Sequence, residues 1–394
     1  MKENWKNKRI EQCFKVKSGD FLPANKMAKE GSVDVYGGNG IAGKHDQHNL
    51  TGENIIIGRV GAKCGNVKRV SGNIWVTDNA FYICEFIEEF DLRFLEYLLS
   101  TKNLRDTANQ TAQPVISYKT IKNVILVIPP LSEQKRIVTI LDEVFEGINR
   151  AIANTERNLA NSRELFESYL NTIFKQKCDG WKEKTLQEIS IKFSRGKSKH
   201  RPRGDKKLYG GKYPLIQTGD ISNAKHRITS YSQTYNELGL AQSAIWPEGT
   251  VCIAIVGANV AETAILDFDA CFPDSVIGII VNNEVADSDY VEYLLQSFKA
   301  ELKEKGKGTA RDNINIGTFA NQRFPFPNVK TQKIIAFQLE ELSFETQRLE
   351  IIYQQKITAL NELKQSILQK AFTGELTADT ANQVRKTAKE EIAA

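Results

Sequence analysis

The sequence predicts an α+β protein in which two mixed α/β globules are separated by two long helices packed as an antiparallel coiled coil, with a pseudo-two-fold internal repeat. Three observations predict this fold class. Short motifs recur once in the same order. Two segments of about 40 residues carry apolar side chains at near-heptad spacing, and the remaining segments alternate β-branched runs with turn residues. The predicted boundaries are 1–130 for the first globule, 131–178 for the first helix, 179–328 for the second globule, 329–376 for the second helix and 377–394 for a flexible tail.

The internal repeat consists of five matched segments. The offset between matched residues is 176 at the tryptophans, 196 at the Val-Gly-Ala motif and 198 near the end, so the second copy carries about 20 additional residues early on. Two copies of nearly 200 residues are too long for a solenoid and indicate a duplicated module. The matches are Trp5–Lys8 with Trp181–Lys184, Val60–Ala62 with Val256–Ala258, Glu96–Leu99 with Glu292–Leu295, Thr111–Ala112 with Thr309–Ala310, and Gln134–Lys135 with Gln332–Lys333.

Each globule is expected to combine short strands with a helix. β-branched runs bounded by Gly and Asn predict strands, and a recurring amphipathic segment predicts the helix. The strand candidates are Ile55–Ile57, Val124–Ile128, Val251–Val256 and Val276–Val281, and the helix candidates are Leu92–Ser100 and Tyr290–Ser297.

The two long helices are predicted from apolar spacing. After Pro129 and Pro130, apolar residues recur every three or four positions without a proline, which predicts a helix of roughly 60 Å with Ser132 as its N-cap. The same spacing recurs 198 residues later. A stripe this long is unstable on an isolated helix in water, so we expect the two stripes to face each other. The predicted interface positions are Ile137, Leu141, Val144, Ile148, Leu159, Leu165 and Tyr169 in the first helix, and Ile335, Leu339, Leu342, Leu349, Ile357, Leu360, Leu363 and Ile367 in the second.

Chain connectivity predicts the direction of the helices. The first helix ends where the second globule begins, and the second helix begins where that globule ends. If the globule is compact, its two ends are close together, and the helices must run antiparallel. The alternative is that each helix packs separately on its own globule.

The composition indicates a globular chain of the reducing cytoplasm. Apolar residues make up 41% of the sequence, which excludes wholesale disorder, and no run approaches the ~18 apolar residues of a membrane helix. Six cysteines occur without a CxxC pair, so a zinc ribbon or a disulfide scaffold is not expected. The net charge of +5 permits nucleic acid as a partner without requiring it.

Motifs for catalysis or cofactors are weak. Residues 38–43 fit the GxGxxG pattern, but the following residues 44–49 are poor helix formers, which favours a glycine-rich turn over a dinucleotide site. A GK[ST] phosphate loop and the Asn-Pro-Pro-Tyr or Asp-Pro-Pro-Tyr motif of amino-methyltransferases do not occur. His45 and His48 lack a third metal ligand. An acidic group that could suggest a nuclease lacks the usual lysine; it comprises Asp267, Asp269, Asp274 and Glu284.

The clearest charged feature lies between Lys192 and Lys212. Nine Lys and Arg residues against Asp205 alone give these 21 residues a local charge of +8, among glycines and prolines that indicate a loop. Such a loop can neutralise DNA phosphates, although a solvated basic surface is the alternative. Asn, Gln and Arg side chains suited to base edges occur in both copies. The DNA-binding candidates are Lys17, Lys26, Asn39, Lys44, Arg59, Lys63, Gln113, Arg195, Lys197, Lys199, Arg201, Arg203, Gln217, Asn259, Arg311 and Asn313.

Taken together, the chain resembles the specificity (S) subunit of type I restriction-modification systems. The resemblance covers essentially the whole sequence and is sharpest where each globule ends and each helix begins, at Ile128–Ile137 and Phe324–Ile335. Ala371–Leu376 is similar to the family's ending of the second helix, and Tyr36–Gly40 and Gly219–Ile221 resemble its target-recognition domains. The second copy departs from the usual Pro-Leu-x-Glu-Gln, having Pro327-Asn328-Val329-Lys330-Thr331-Gln332 instead.

The resemblance implies a non-catalytic subunit that reads a bipartite, asymmetric double-stranded DNA site with two target-recognition domains. It implies that the helices act as a spacer and dock two methyltransferase subunits, and that ATP-driven restriction subunits join the complex. S-adenosylmethionine, ATP and Mg²⁺ would then be bound by those partners and not by this chain. The alternatives are a nuclease fused to its own reader and a coiled-coil protein-interaction adaptor that does not read DNA.

Overall fold

A computed structural model describes residues 4–109, 113–175, 180–306 and 313–377 of the chain. The chain divides into two compact units. Unit 1 comprises the described residues of Met1–Glu156 and Gln354–Ala394, and unit 2 comprises those of Arg157–Tyr353. Each unit contains one mixed globule together with parts of two long helices.

The described helices and strands follow each other in two similar series. The first series is β1 (Lys6–Arg9), β2 (Phe14–Ser18), β3 (Val33–Gly37), β4 (Gly40–His45), β5 (Asn54–Gly58), β6 (Val67–Val70), β7 (Ile74–Val76), β8 (Ala80–Phe86), α1 (Leu92–Ser100), α2 (Tyr118–Ile121), β9 (Ile125–Ile128) and the long helix α3 (Leu131–Lys175). The second series is β10 (Lys182–Lys184), β11 (Ser190–Arg195), β12 (Tyr209–Leu215), α4 (Thr218–Asn223), β13 (Arg227–Ile228), β14 (Gln233–Tyr235), α5 (Glu237–Ala241), β15 (Ile245–Trp246), β16 (Val251–Ala254), β17 (Thr263–Leu266), β18 (Ala270–Cys271), β19 (Val276–Val281), α6 (Ser288–Ser297), α7 (Lys299–Gly306), α8 (Ile316–Ala320), β20 (Phe324–Phe326) and the long helix α9 (Val329–Thr373).

Two sheets form the globule of unit 1. One has the strand order β2-β8-β5-β6 and the other has the order β4-β3-β7. Strand β5 is buried on both faces. Successive side chains of a strand point to opposite sides, and in β5 both sets are buried. Ile55 and Ile57 enter the core that contains α1, whereas Ile56 joins a second cluster with Val70 and Val76. The predicted isoleucine strand is therefore present as a central strand.

The globule of unit 2 repeats this plan with additions. Its sheets have the orders β11-β19-β16-β17-β13 and β14-β12-β18-β15. The first sheet matches β2-β8-β5-β6 of unit 1 strand for strand, and β13 extends it at the edge. The additional residues predicted from the repeat offset lie in this early part of the second copy, where α4 and α5 also occur.

Each globule ends in a strand pair that leads directly into a long helix. In unit 1, β1 pairs antiparallel with β9, with Lys6 opposite Ile128. In unit 2, β10 pairs antiparallel with β20, with Lys182 opposite Phe326. The first and last strands of each globule therefore lie side by side at the point where the helix leaves.

The shorter helices α1 and α6 begin at aspartate caps. The Asp91 carboxylate accepts hydrogen bonds from the backbone N–H groups of Arg93 and Phe94, both at 3.0 Å. Asp287 accepts one from Tyr290 N–H at 3.1 Å. An aspartate at this position satisfies N–H groups that have no partner inside the helix. Helix α1 matches its predicted range, and α6 begins two residues before its predicted start.

The start of α3 differs from the prediction at Ser132. The helix begins at Leu131, and the Pro130 carbonyl accepts hydrogen bonds from the N–H groups of Glu133 and Gln134 at 2.9 and 3.0 Å. Ser132 therefore lies in the first turn and is not the N-cap. Because the Pro130 carbonyl accepts the first hydrogen bonds of the helix, the cap position falls on Pro130, two residues before Ser132.

The long helices run antiparallel, as the packing inside each unit shows. In unit 1 the first part of α3 and the last part of α9 share one core, and in unit 2 the last part of α3 shares a core with the first part of α9. The predicted interface residues in the unit 1 core are Ile137, Leu141, Val144, Ile148, Leu360, Leu363 and Ile367, and those in the unit 2 core are Ile335 and Leu339. The same cores include globule residues such as Phe94 and Tyr290, so each helix packs on a globule as well as on the other helix.

Three predicted interface positions are solvent-exposed in unit 2. Leu165, Tyr169 and Leu349 are 52%, 40% and 37% exposed, while Leu170 and Phe174 are buried instead. A strict seven-residue repeat drifts by about 20° per heptad on a straight helix, so the buried face moves away from the extrapolated positions. The remaining predicted positions, Leu159, Leu342 and Ile357, are half-buried.

Candidate nucleic-acid interface

In unit 1, the turn after β5 lies at one end of the first sheet. The N–H of Gly61 donates to the carbonyl of Pro114 at 2.9 Å, and the N–H of Ile116 donates to the carbonyl of Arg59 at 2.8 Å. These bonds place the turn that carries Lys63 beside the segment that begins at Gln113. Both of these side chains are exposed.

The β3–β4 hairpin brings Asn39 to the same turn. A Cβ on Gly38 would lie 2.2 Å from the carbonyl oxygen of Val60, and one on Gly58 would lie 2.2 Å from the carbonyl oxygen of Gly38. Only glycines permit this close approach of two backbones. The exposed Asn39, at the tip of the hairpin, therefore shares one end of the globule with Lys63 and Gln113.

The Arg59 side chain has a structural role in this turn. Its Nη1 donates to the carbonyl of Asp78 at 3.1 Å and to the Ser18 hydroxyl at 3.4 Å, and its guanidinium lies 5.3 Å from the centre of the Phe81 ring. The residue is half-buried. A guanidinium engaged in this way fixes the ends of neighbouring strands and leaves less of its surface for DNA.

The other basic candidates of unit 1 lie on different elements. Lys17 is exposed on β2. Lys44, on β4, forms a 2.6 Å salt bridge with Asp34, and its carbonyl accepts the N–H of Ala28, close in sequence to the exposed Lys26. Lys26 and Lys44 are therefore associated with the second sheet and not with the Asn39 cluster.

Unit 2 repeats the arrangement of the turn at the same end of its sheet. Val256 forms a β-bridge with Asn313, and the N–H of Ile314 donates to the carbonyl of Ile255 at 3.1 Å. Asn259, in the 3₁₀ turn that follows β16, thus lies on the loop adjacent to Asn313. Arg311, the other candidate on this segment, lies outside the described residues.

The basic segment of unit 2 is anchored at its base. The N–H of Gly196 donates to the carbonyl of Val276 at 2.9 Å, and a Cβ at Gly196 would lie 2.3 Å from the carbonyl oxygen of Phe272. The segment therefore leaves the sheet pressed against the β18–β19 turn, which carries Asp274.

The arginines of this segment converge on Asp274. Arg195 Nε donates to the Asp274 carbonyl at 2.7 Å, Arg201 Nη2 lies 3.6 Å from one carboxylate oxygen, and Arg203 bonds the other. Arg201 also donates to the carbonyls of Ser198 and His200 at 2.6 and 2.8 Å. The sequence predicted that these arginines bind phosphates. In the chain without DNA, they instead hold the segment together.

The lysines of the same segment are placed differently. Four of them are exposed and form no salt bridge with any residue that the structure describes; they are Lys197, Lys199, Lys206 and Lys207. Lys192 lies 3.7 Å from the centre of the Trp246 ring, and burial together with Lys197 lowers its pKa. The nine positive charges therefore divide into three arginines held at Asp274, four lysines that face solvent, Lys192 over the Trp246 ring, and Lys212, which pairs with Glu237 at 3.3 Å.

Gln217 has a local structural role in unit 2. It is the N-cap of α4, and its backbone N–H donates to the Asp220 carboxylate at 2.7 Å. Its Nε2 donates to the Gln233 side chain at 2.7 Å. The side chain therefore ties α4 to β14. It could bond a base edge only if its hydrogen bond to Gln233 were broken.

Two of the acidic candidates have separate local partners. Asp267 pairs with Arg227 at 3.5 Å, and Asp269 accepts the N–H of Glu248 at 2.9 Å. Within residues 4–109, 113–175, 180–306 and 313–377, no group of three His, Cys, Asp or Glu side chains could hold a metal ion. His45 packs its ring against Trp75 at 5.0 Å.

Across the described residues, none of the helices has the length and apolarity needed to cross a membrane.

A buried charge network in unit 2 was not predicted from the sequence. His226 hydrogen-bonds Glu292 at 2.6 Å and Asp289 at 3.0 Å, and its ring stacks on Tyr293 at 4.3 Å. Burial of the ring lowers its pKa, but the two carboxylates outweigh this effect and raise the pKa to about 9. The sequence offered one signal for this network, because Glu292 belongs to the recurring Glu-Tyr-Leu-Leu motif. Its partner His226 lies 66 residues away, so the sequence did not show the pairing.

Comparison with known proteins identifies the family. The model of the "Type I restriction modification DNA specificity domain" family matches residues 2–158 and 178–361, which is most of both copies. The type I restriction enzyme EcoprrI specificity subunit of Escherichia coli is 30% identical over 156 residues, covering 39% of this chain and 38% of that protein. The EcoBI specificity subunit of the same organism is 22% identical over 374 residues, covering 83% and 74%. The MjaVIII specificity subunit of Methanocaldococcus jannaschii is 25% identical over 318 residues, covering 73% and 71%.

Solved structures show the same fold. A chain from a study of complex assembly and conformational transition of the type I R-M system superposes with a TM-score of 0.76 at 17% identity, covering 95% of this chain and 99% of that one. The HsdS subunit of Thermoanaerobacter tengcongensis gives a TM-score of 0.57 at 17% identity, covering 95% and 98%.

These relatives decide between the functional alternatives. Specificity subunits are non-catalytic components of type I restriction enzymes, so the family supports neither a nuclease nor a protein adaptor without DNA reading. The family model spans more than half of the chain, and the relatives come from bacteria and an archaeon. The chain belongs to the family of type I restriction-modification DNA specificity subunits.

Proposed function

We propose that each globule reads one half of a bipartite, asymmetric double-stranded DNA site. The observation that carries this proposal is the equivalent placement of polar and basic loops in both units, at the end of the sheet where β5 or β16 stops. In unit 1 this end presents Asn39, Lys63 and Gln113. In unit 2 it presents Asn259 and Asn313 beside the basic segment. Amide side chains pair with adenine edges, and lysines neutralise phosphates.

The two units differ in chemistry, which supports an asymmetric target. Unit 2 carries a lysine-rich loop with Asp274 at its base, whereas the hairpin of unit 1 offers Asn39 on a glycine turn. Different side chains on equivalent loops select different bases. We therefore expect two unlike half-sites, with 1–130 and 179–328 as the reading domains and 131–178 and 329–376 as spacer helices.

The first part of α9 has an exposed apolar face, and we propose that protein partners bind there. The side chains on this face recur at intervals of three and seven residues and are between 51% and 67% exposed; they are Ile334, Phe337, Phe344 and Ile351. Several large apolar side chains exposed along one helix face are typical of a protein interaction site. We propose that the long helices dock two methyltransferase subunits and that restriction subunits join this assembly in the cytoplasm. S-adenosylmethionine, ATP and Mg²⁺ would be bound by those subunits.

Mapping DNA methylation tests this proposal. The chain is co-expressed with the methyltransferase subunit of its own system, and methylated positions are found by sequencing of the host DNA. We expect one motif with two unlike half-sites at a constant separation, absent when this chain is omitted. Methylation with a single contiguous motif, or methylation that is independent of the chain, would contradict the proposal.

A further inference from the structure

The basic loop of unit 2, residues 196–207, has an internal structure that exposed loops of lysine and arginine do not need. The Arg203 carbonyl accepts the Tyr209 hydroxyl at 2.5 Å, and His200 Nε2 lies 3.0 Å from the Asp205 carboxylate. The His200 backbone N–H donates to the Gln242 side chain at 3.1 Å. The loop is therefore held in one conformation from several directions.

Asp274 connects the basic loop to the sheet strands β18 and β19. It belongs to the turn between β18 and β19, and the neighbouring Phe272 and Pro273 of this turn lie directly against Gly196, where the loop begins. Its carboxylate forms salt bridges with Arg201 and Arg203, and its backbone carbonyl accepts a hydrogen bond from Arg195. A single surface ion pair contributes little, but several arginines on one acceptor form a network with defined geometry.

We propose that Asp274 is a positioning residue for DNA recognition: it holds the basic loop in the conformation in which the outward-facing Lys197, Lys199, Lys206 and Lys207 meet phosphates together. This inference rests on the proposed DNA-binding function. Pre-ordering the loop removes an entropy loss that binding would otherwise incur, because long side chains and loop backbone are already restricted.

The sign of the effect separates this role from simple charge. Asp274 is itself negative and lies among groups proposed to face phosphates. If only net charge mattered, Asp274→Asn would remove one negative charge beside the loop and strengthen DNA binding. If Asp274 positions the loop, the same substitution weakens binding to the target although the local net charge becomes more positive.

The experiment uses the complex of the full chain with its methyltransferase subunits and a labelled duplex that carries the motif found by methylation mapping. Asp274→Asn should weaken target binding about tenfold, equivalent to about 1.4 kcal/mol. Asp274→Glu, which keeps the charge, should restore most of the affinity. Amide hydrogen exchange in residues 196–207 should be faster in the Asn variant than in the wild type or the Glu variant. Equal or tighter binding by the Asn variant overturns the proposal, as does unchanged exchange in the loop.

A matched variant tests whether the loop meets DNA at all. Lys206→Gln with Lys207→Gln should weaken binding and reduce the slope of log affinity against log salt by roughly 0.9 for each phosphate that the loop no longer neutralises. If affinity and slope are unchanged, the loop does not meet DNA and the role of Asp274 is overturned. A bipartite methylation motif in that same complex would still uphold the proposed function.

Discussion

The backbone N–H of Asp91 donates a hydrogen bond of 2.9 Å to the side-chain carbonyl of Gln134, which ties the cap of α1 to the first turn of α3. The Gln134 amide donates to the Pro129 carbonyl at 3.0 Å, and the side chain is 1% exposed. Unit 2 repeats this joint. Gln332 accepts the Asp287 N–H at 2.9 Å and donates to the Pro327 carbonyl at 2.8 Å. The recurring Gln-Lys pair therefore marks the joint between each globule and its helix.

Replacing Gln134 by Met should destabilise unit 1. Methionine keeps the length and volume of the side chain, but it leaves the Asp91 N–H and the Pro129 carbonyl without their buried partner. Each unsatisfied group costs about 1–3 kcal/mol. Chemical denaturation should show this destabilisation, and Lys135→Met at the exposed neighbouring position should show almost none. Equal stability of the two variants would mean that water or a shifted backbone replaces the glutamine.

The His226 network should make unit 2 less stable at high pH. The pKa of His226 is about 9 in the folded chain, compared with about 6.5 for an unperturbed histidine. The stabilisation is therefore fully present below about pH 6.5 and is lost as the pH rises through about 9. The total change is on the order of 1–3 kcal/mol, since the side chain is 14% exposed. The groups that face the ring are Asp289, Glu292 and Tyr293, with Arg227 bonded to Asp289.

The free energy of unfolding, measured between pH 6 and pH 9.5, tests this prediction. His226→Gln serves as the control because it cannot titrate. It should be less stable than the wild type at pH 6 and should show a flatter pH dependence over the same range. A wild-type protein whose stability does not decline towards pH 9.5 would rule out a charged His226.

The apolar face of α9 should be required for assembly and not for folding. Phe337 and Phe344 are 59% and 67% exposed in the free chain. Burying a phenylalanine contributes about 1.5–3 kcal/mol, so Phe337→Ser or Phe344→Ser should weaken association with the methyltransferase subunit tenfold or more. Analytical ultracentrifugation of the mixed subunits measures this, with Gln338→Ser as the control, because Gln338 is exposed on the same helix but lies off this face. Unchanged association of both phenylalanine variants would place the partner on another surface.

Asn39 should contribute to sequence discrimination in one half-site. Asn39→Ala removes a side chain that can form two hydrogen bonds with an adenine edge, and we expect discrimination at one base pair to fall by about 1–3 kcal/mol. Lys63→Gln, on the adjacent turn, should instead weaken binding to all sequences and reduce the salt slope by about 0.9. Methylation maps of both variants separate these effects. An unaltered motif with Asn39→Ala would show that this hairpin does not contact bases.

The repeat and the apolar spacing predicted the fold because both are local or periodic properties of the chain. The exposed Leu165 and Leu349 show the limit of periodicity, since a small angular drift accumulates along a straight helix. The candidate site was less predictable. Arg203 and Asp274 are 71 residues apart, and only the packing of Gly196 on the β18–β19 turn brings them together. Charge counting assigned Arg195, Arg201 and Arg203 to DNA together with Lys197 and Lys199, because sequence alone does not show which cations already have partners.

The length of the two long helices should set the separation of the half-sites. Deleting four residues around Asn158 from α3 removes about 6 Å of helix, close to two base pairs at ~3.4 Å per pair. The deletion also rotates the following residues by about 40°, because four residues are slightly more than one turn. A matching deletion around Lys356 in α9 keeps the apolar stripes of the antiparallel pair in register.

With both helices shortened, each globule keeps its loops and should still read its own bases. The methylation map should therefore retain both half-sites and contract the gap between them. Deleting residues from only one helix is the control. It shifts one stripe against the other and should reduce stability without producing a new, defined spacing. If the doubly shortened protein is folded, assembles with the methyltransferase and still methylates the original spacing, the distance between half-sites is set by something other than these helices.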